Sequence, residues 1–309
     1  MKNLNKNINI RKKSLPRQSD LTIRPDGTVY ISYIWKDLAD LAGIDSSEVN
    51  PSPNNHININ FELDDTNTKH LYNSCSLCPK DCGFDRWEGI HPKCGNHQLC
   101  LSAAGISMGE EKLITGNGGT GMFIFSGCPL SCPSCHGESM IRGHYPESNF
   151  QDVFKAIDNI YNAGAQNIQF ICPPGHYPKI SLIVAQLKKM NFPIPIILKS
   201  SGYEKVETIK QLNGLIDIYL PDCKILKNSQ HALVKEIPDY FDYFEKALTE
   251  MYRQVGPVII DAKGNLTKGV LVRHVRGSLS IEEFSQMEKY LNSLTPNIAI
   301  SILDNFISF

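Results

Sequence analysis

The sequence predicts an α/β protein: a partial (β/α)6 TIM-like barrel behind an N-terminal cysteine-rich, metal-binding extension. Three observations carry this. From Ser148 onward, short apolar runs of strand length alternate with segments of helical periodicity. The apolar run Met122–Phe125 leads straight into three cysteines, Cys128, Cys132 and Cys135. A second cysteine group, Cys75, Cys78, Cys82 and Cys94, lies upstream with little apolar patterning between its members. The expected units are 1–70, an extension of unassigned role; 71–115, the cysteine-rich segment; and 116–309, the barrel.

Taken in order, Leu21–Ile34 reads as a hairpin around the turn Arg24-Pro25-Asp26-Gly27, and Trp35–Ala42 as a short helix. Asn50–Asn60 is a Pro- and Asn-rich loop. The glycines of 116–121 lead into the first barrel strand. They make a poor phosphate loop, since no strand precedes them and no Lys-Ser/Thr follows, and are expected to let the backbone pass close to a bound group. Strands are then expected at Asn167–Ile171, Ile194–Lys199, Leu215–Leu220, Val270–Val275 and Ile298–Leu303. The helices between them start at a capping box of Ser148 with Gln151, at Lys179 behind Pro178, at Glu204, at Asp239, and at Ser280 with Glu283. Strands separated by helices imply right-handed crossovers and a parallel sheet. Counting the cysteine strand first, there are too few units for a closed barrel of eight, which leaves one open on one side.

A chain of 309 residues with 41% hydrophobic content can bury a substantial core. The net charge of −1 argues against a surface built for nucleic acid in general. No apolar run reaches the roughly 18 residues of a membrane span. The basic start, MKNLNKNINIRKK, has no apolar stretch of the signal-peptide kind and reads as a solvated arm. Ten cysteines in a long chain, seven of them in two tight groups, fit metal ligation in a reducing cytoplasm better than a disulfide framework.

The spacing C-x3-C-x2-C of Cys128, Cys132 and Cys135 suits three thiolates on one face of a cubane cluster. A [4Fe-4S] cluster is normally held by four cysteines, so three leave one iron open. The trio, placed directly after a strand, resembles the signature of the radical S-adenosylmethionine (SAM) enzymes. The stretches CSLCPKDCG, SGCPLSCPSC, SGYE, LIDIYLPDCK, EMYRQVG and VLVRHV, in that order, resemble the branch related to pyruvate formate-lyase activating enzyme. The upstream cysteines resemble that branch's cysteine-rich leader. Their spacing leaves zinc and a second iron–sulfur cluster both open, with His91, His97 and Cys100 as substitute ligands.

The resemblance implies a [4Fe-4S] cluster on Cys128, Cys132 and Cys135, SAM on the open iron, and a 5′-deoxyadenosyl radical that abstracts hydrogen. It also implies a one-electron donor such as flavodoxin or ferredoxin, and a substrate that one branch activity would make a partner protein. Ligands of parallel α/β folds collect at the carboxyl ends of the strands. There the second strand offers Gly175 in Pro173-Pro174-Gly175-His176, where the family carries a Gly-Gly-Glu-like segment that receives the SAM ammonium. The third offers Ser200 and Ser201 for ribose or carboxylate. The fourth offers Asp222 and Lys224, which match an Asp-x-Lys element near SAM. The fifth offers Arg273. His176 and His274 are candidate proton donors or substrate contacts, and Cys172 and Cys223 read as small buried thiols. A reading from another class stands beside this one: a non-catalytic zinc or iron–sulfur protein serving electron transfer or binding.

Overall fold

Period-two alternation sorts each strand's side chains onto two faces. In the strand before the cysteines, Phe123 and Phe125 belong to the main apolar core, while Met122 and Ile124 pack on the other side with Ala103 and Ile171. The next strands repeat this: Ile168 and Phe170 against Gln169 and Ile171, then Ile196 and Leu198 against Ile197 and Lys199. The computed structural model describes residues 21–23, 29–31, 63–130, 132, 135, 147–226, 236–275, 281–295 and 297–303. Its strands are β1 (Leu21–Ile23), β2 (Val29–Ile31), β3 (Leu101–Ser107), β4 (Thr120–Phe125), β5 (Ile168–Ile171), β6 (Ile196–Ser200), β7 (Ile218–Pro221), β8 (Ile259–Ile260), β9 (Leu266–Val275) and β10 (Ala299–Leu303). Its helices are α1 (Lys69–Tyr72), α2 (Lys112–Thr115), α3 (Phe150–Asn162), α4 (Tyr177–Lys189), α5 (Val206–Lys210), α6 (Tyr240–Val255) and α7 (Ile281–Leu294).

The protein is α/β with a mainly parallel eight-stranded sheet in the order β10-β9-β7-β6-β5-β4-β3, with β8 paired to β9. Strands β4, β5, β6, β7, β9 and β10 run parallel, neighbour to neighbour, while β3 and β8 are antiparallel. The buried residues of α3 to α7 all join one cluster with Phe123, Phe170, Leu198, Tyr219 and Val272, so these helices cover one face of the sheet. A doubly wound sheet would carry helices on both. The opposite face is packed instead by Ile114 of α2 against Ile197, Ile218, Leu220 and Leu271. The sheet is not closed: β3 and β10 are its edges.

Across the face opposite the long helices runs an ion cluster centred on a buried cation. Arg273 of β9, 1% exposed, donates from Nε to Glu111 Oε1 at 2.9 Å and from Nη2 to Glu110 and Glu111. Burial alone would raise the Glu110 carboxyl, but Lys199 and Arg273 outweigh it and hold it below the usual range. The segment that follows β3 is thereby fastened to β9.

Several sequence expectations change. The capping box of α3 is one residue later than Ser148 with Gln151: Asn149 accepts from Asp152 N at 2.8 Å, and Asp152 accepts from Asn149 N. Helix α5 starts at Val206, not Glu204, whose side chain is used in the preceding loop. Strand β3 lies inside the 71–115 range and joins the main sheet. The glycines of 116–121 do not approach the cysteine trio; they lie at the other end of β4. Gly118 is needed because a Cβ there would meet Gly164 O at 2.0 Å. β1 and β2 pair antiparallel as the hairpin reading expects, while its turn, the Trp35–Ala42 helix and Ser280 lie outside the described residues.

Arg273→Ala leaves two buried carboxylates without their cation and is expected to lower unfolding free energy by about 3–5 kcal/mol. Urea unfolding of Lys69→Ala, which breaks an exposed pair with Glu88, is the control and should change little. Equal small losses in the two variants would remove Arg273 from this role.

Candidate metal centre

The loop after β4 is shaped before its thiols are considered. Gly127 has φ +93°, and a Cβ there would meet Cys94 O at 2.7 Å, so the upstream cysteine segment packs directly on the backbone of the trio loop. Cys128 and Cys132 both pack at the edge of the main core. Burial pushes the Cys128 thiol up to about 11. The Leu130 N–H and Lys224 oppose that rise, and the Cys132 and Cys135 thiols add to it. The three thiols thus share one electrostatic locale with the Lys224 cation.

Strand β5 ends in a 3-10 turn, Pro174–His176, that carries the loop's main support. His176 is 1% exposed, and its Nε2–H donates to Ser126 O at 2.8 Å, two residues before Cys128. Burial first, and the nearby Arg86 charge second, push its pKa down to about 3. His176 is therefore a neutral positioning residue beneath the loop, not a proton donor facing a ligand. The Gly175 carbonyl, expected to receive an ammonium, accepts from Tyr72 Oη at 3.2 Å and from Arg86 Nη1 at 3.4 Å.

At the ends of β6 and β7 the polar groups are held by Glu204, which the sequence places at a helix start, and by Tyr240. Glu204, fully buried, accepts from Ser200 Oγ at 2.7 Å, from Ser201 Oγ at 2.9 Å and from Ser201 N at 3.1 Å. Ser200 and Ser201 in turn accept from Gly202 N and Tyr203 N, so both hydroxyls are engaged within the loop. The Tyr240 hydroxyl lies 2.5 Å from Asp222 O and 2.9 Å from Ser201 O, which ties the two loops together. Lys224 Nζ pairs with Asp222 at 2.8 Å. Burial would lower the lysine pKa and raise that of the aspartate. Asp222 and the Cys132 and Cys128 thiols overcome this for Lys224, whose pKa rises; Lys224, Lys199 and Arg273 overcome it for Asp222, whose pKa falls. Arg273 lies beside Asp222 through a parallel bridge, but its Nε and Nη2 are committed to Glu110 and Glu111. Buried Nη1 has no hydrogen-bond partner among the described residues. His274 is buried, with its Nδ1 2.8 Å from the carbonyl oxygen of Cys223, between Asp222 and Lys224. Cys172 and Cys223 are buried as expected.

Cys75, Cys78, Cys82 and Cys94 line one cavity of about 340 Å3, which also touches Gly127 and Gly175. Its upper wall is thus the backbone of the two loops just described. His97 stacks on Trp87 at 4.0 Å and does not line the cavity, whereas His91 does. Among the described residues, no three of His, Cys, Asp or Glu stand at single-ion ligand geometry. The donor chemistry nevertheless fits soft metal groups: two sets of thiols, one with the half-buried Lys224 beside it and the other with the buried Arg86.

No family model matches the chain. An uncharacterized protein of Methanocaldococcus jannaschii is 23% identical over 186 residues, 58% of this chain and 53% of the relative. The chain spans about half the length of that curated relative.

Because the His176 pKa falls from an unfolded value of roughly 6.5 to about 3, its neutral form stabilises the fold fully above pH 6.5. That stability drains as pH falls toward 3, by roughly 1.4 kcal/mol per pH unit. Gln can donate to Ser126 O without titrating. Urea unfolding at pH 7, 6 and 5 should show His176→Gln losing less stability per unit than wild type; parallel curves would refute the assignment.

Proposed function

We propose that the chain is a radical SAM enzyme built on a partial (β/α)6 barrel, with Cys128, Cys132 and Cys135 as ligands of a [4Fe-4S] cluster. The observation that carries this is the position of the trio. It follows the first parallel strand of a singly wound sheet, at the same end as Asp222 and Lys224, with Cys128 close enough to feel both other thiols and Lys224 close enough to act on Cys128 and Cys132. When bound, such a cluster supplies an open iron for SAM and the electron that splits it to a 5′-deoxyadenosyl radical.

The chain's own residues have definable parts in this reading. Lys224 favours the thiolate forms of Cys128 and Cys132 that a metal requires, and Asp222 keeps that cation in place. His176 fixes the entry to the loop through Ser126. Glu204 sets the conformation of the Ser200–Ser201 turn, which presents its backbone more freely than its hydroxyls. The electron comes from a small donor of the flavodoxin or ferredoxin kind, and hydrogen is taken from a substrate, a partner protein's glycine among the candidates. Among the described residues no helix is long and apolar enough to cross a membrane.

Anaerobically reconstituted protein with a reductant and SAM should release 5′-deoxyadenosine, measured by chromatography. Cys132→Ala should release none, and Lys224→Met about 10–100-fold less than wild type. Iron-loaded, reduced protein that leaves SAM intact would instead favour a non-catalytic metal protein.

A further inference from the structure

Arg86 is a fixed cation held almost wholly out of water, 1% exposed. Its guanidinium donates to four carbonyls: Gly95 O at 3.3 Å, Gly175 O at 3.4 Å, Cys94 O at 3.0 Å and Asn96 O at 2.5 Å. It lies over the Tyr72 ring at 5.4 Å. Among the described residues it makes no ion pair with a carboxylate. Arginine keeps its charge in any protein environment, and burying such a charge without an anion costs several kcal/mol. The carbonyl dipoles offset part of that cost. They do not supply a counter-charge.

The anion is suggested by what Arg86 faces. Its Nη1 lies 4.0 Å from Cys75 Sγ, and it lines the cavity of about 340 Å3 together with Cys75, Cys78, Cys82 and Cys94. Lys80 and Lys93 also reach that wall, and no Asp or Glu does. The four thiols thus lie beside a buried guanidinium that has no carboxylate partner among the described residues, a setting that favours anionic sulfur. The segment also has little else to fold around. Its apolar cluster is Tyr72, Cys75 and Leu77, with Leu71 and Trp87 at the margin. Its turns are short backbone closures, Cys75 N to Phe84 O and Gly83 N to Cys75 O, both 3.0 Å. Segments so poor in core commonly draw folding energy from a metal.

We propose that Cys75, Cys78, Cys82 and Cys94 hold a second metal centre, a dipositive core under four thiolates, with Arg86 as its built-in counter-cation. Four S–H protons leave to solvent as four metal–sulfur bonds form, and the bound group carries a net charge of −2, the same for Zn2+ and for a [4Fe-4S]2+ core. The centre also has a mechanical consequence. Arg86 grips Gly175, and the Cys94 carbonyl rests on Gly127, so the second site sets the two loops that flank Cys128. The proposal does not depend on the reading of the Cys128 trio.

The test is metal and sulfide analysis of the full chain with Cys128, Cys132 and Cys135 all changed to Ala, produced without oxygen. One centre per chain is expected to remain: either about four irons with about four sulfides and a thiolate-to-iron absorption band, or one zinc without sulfide. The converse variant, Cys78→Ala with Cys94→Ala and the trio intact, should lose that same complement. It also covers the case in which the triple variant does not fold. Arg86→Met should weaken retention against a chelator by about 10–100-fold, with circular dichroism reporting that the sheet persists, and Arg86→Lys should restore most of it. Absence of metal from a folded triple variant, or a full complement after loss of Cys78 and Cys94, would overturn the site. Retention in Arg86→Met equal to wild type would overturn the counter-charge.

Discussion

The ion cluster of Arg273 with Glu110 and Glu111 is the constraint on which the arrangement of the sheet rests. A singly wound parallel sheet leaves one face without helices, and here the sheet does not close on itself to hide that face. The chain fills it with the segment after β3, whose apolar residue Ile114 packs on β6, β7 and β9. Packing of that kind has little directional preference. The bidentate fork of Arg273 supplies direction, since its geometry accepts two carboxylates in one orientation only. It fastens residues 162 positions apart in the chain and so fixes how β9, and with it Asp222 and Lys224, stand relative to β4.

From that frame the polar residues at the carboxyl ends of the strands form a graded set. Nearest the trio is the Asp222–Lys224 pair, whose cation is felt by two of its thiols. Beneath are groups that act through backbone: His176 on Ser126, Glu204 on the Ser200–Ser201 turn, and Tyr240 bridging the β6 and β7 loops. Arg86 touches the ligand set proposed for the upstream cysteine group and donates to Gly175 in the loop after β5. The two histidines that sequence reading set beside each other part ways here. His176 bonds Ser126 O in the loop after β4, and His274 lies against Cys223 O in the loop after β7.

The parallel strands and their order were legible because alternating apolar residues and helical periodicity are local properties. Strand β3, Leu-Ser-Ala-Ala-Gly-Ile-Ser, was not, since its small residues carry a weak strand signal and it adjoins the cysteines. Its burial comes from neighbours that sequence does not display. The capping box moved by one residue because Ser148/Gln151 and Asn149/Asp152 both satisfy the pattern, and the latter pair adds a carboxylate at the helix start. The cysteine trio could be read from spacing alone. Its supports could not, because each is a contact between distant segments: Arg86 with Gly175, Ser126 with His176, Arg273 with Glu110. A charged residue between cysteines looks like a solvated one until its burial is known.

The order in which the segments are made gives the grip of Arg86 on Gly175 a further meaning. Successive strands from β4 to β7 are neighbours in the sheet, so each can dock as it leaves the ribosome. The upstream cysteine segment cannot wait in its final setting, because Gly175 lies 89 residues beyond Arg86. At roughly 5–20 residues per second, synthesis of that interval takes about 4–18 s. During this interval the nascent thiols have no strand-end loops above them, and whatever reaches them first in the cell has an unobstructed approach.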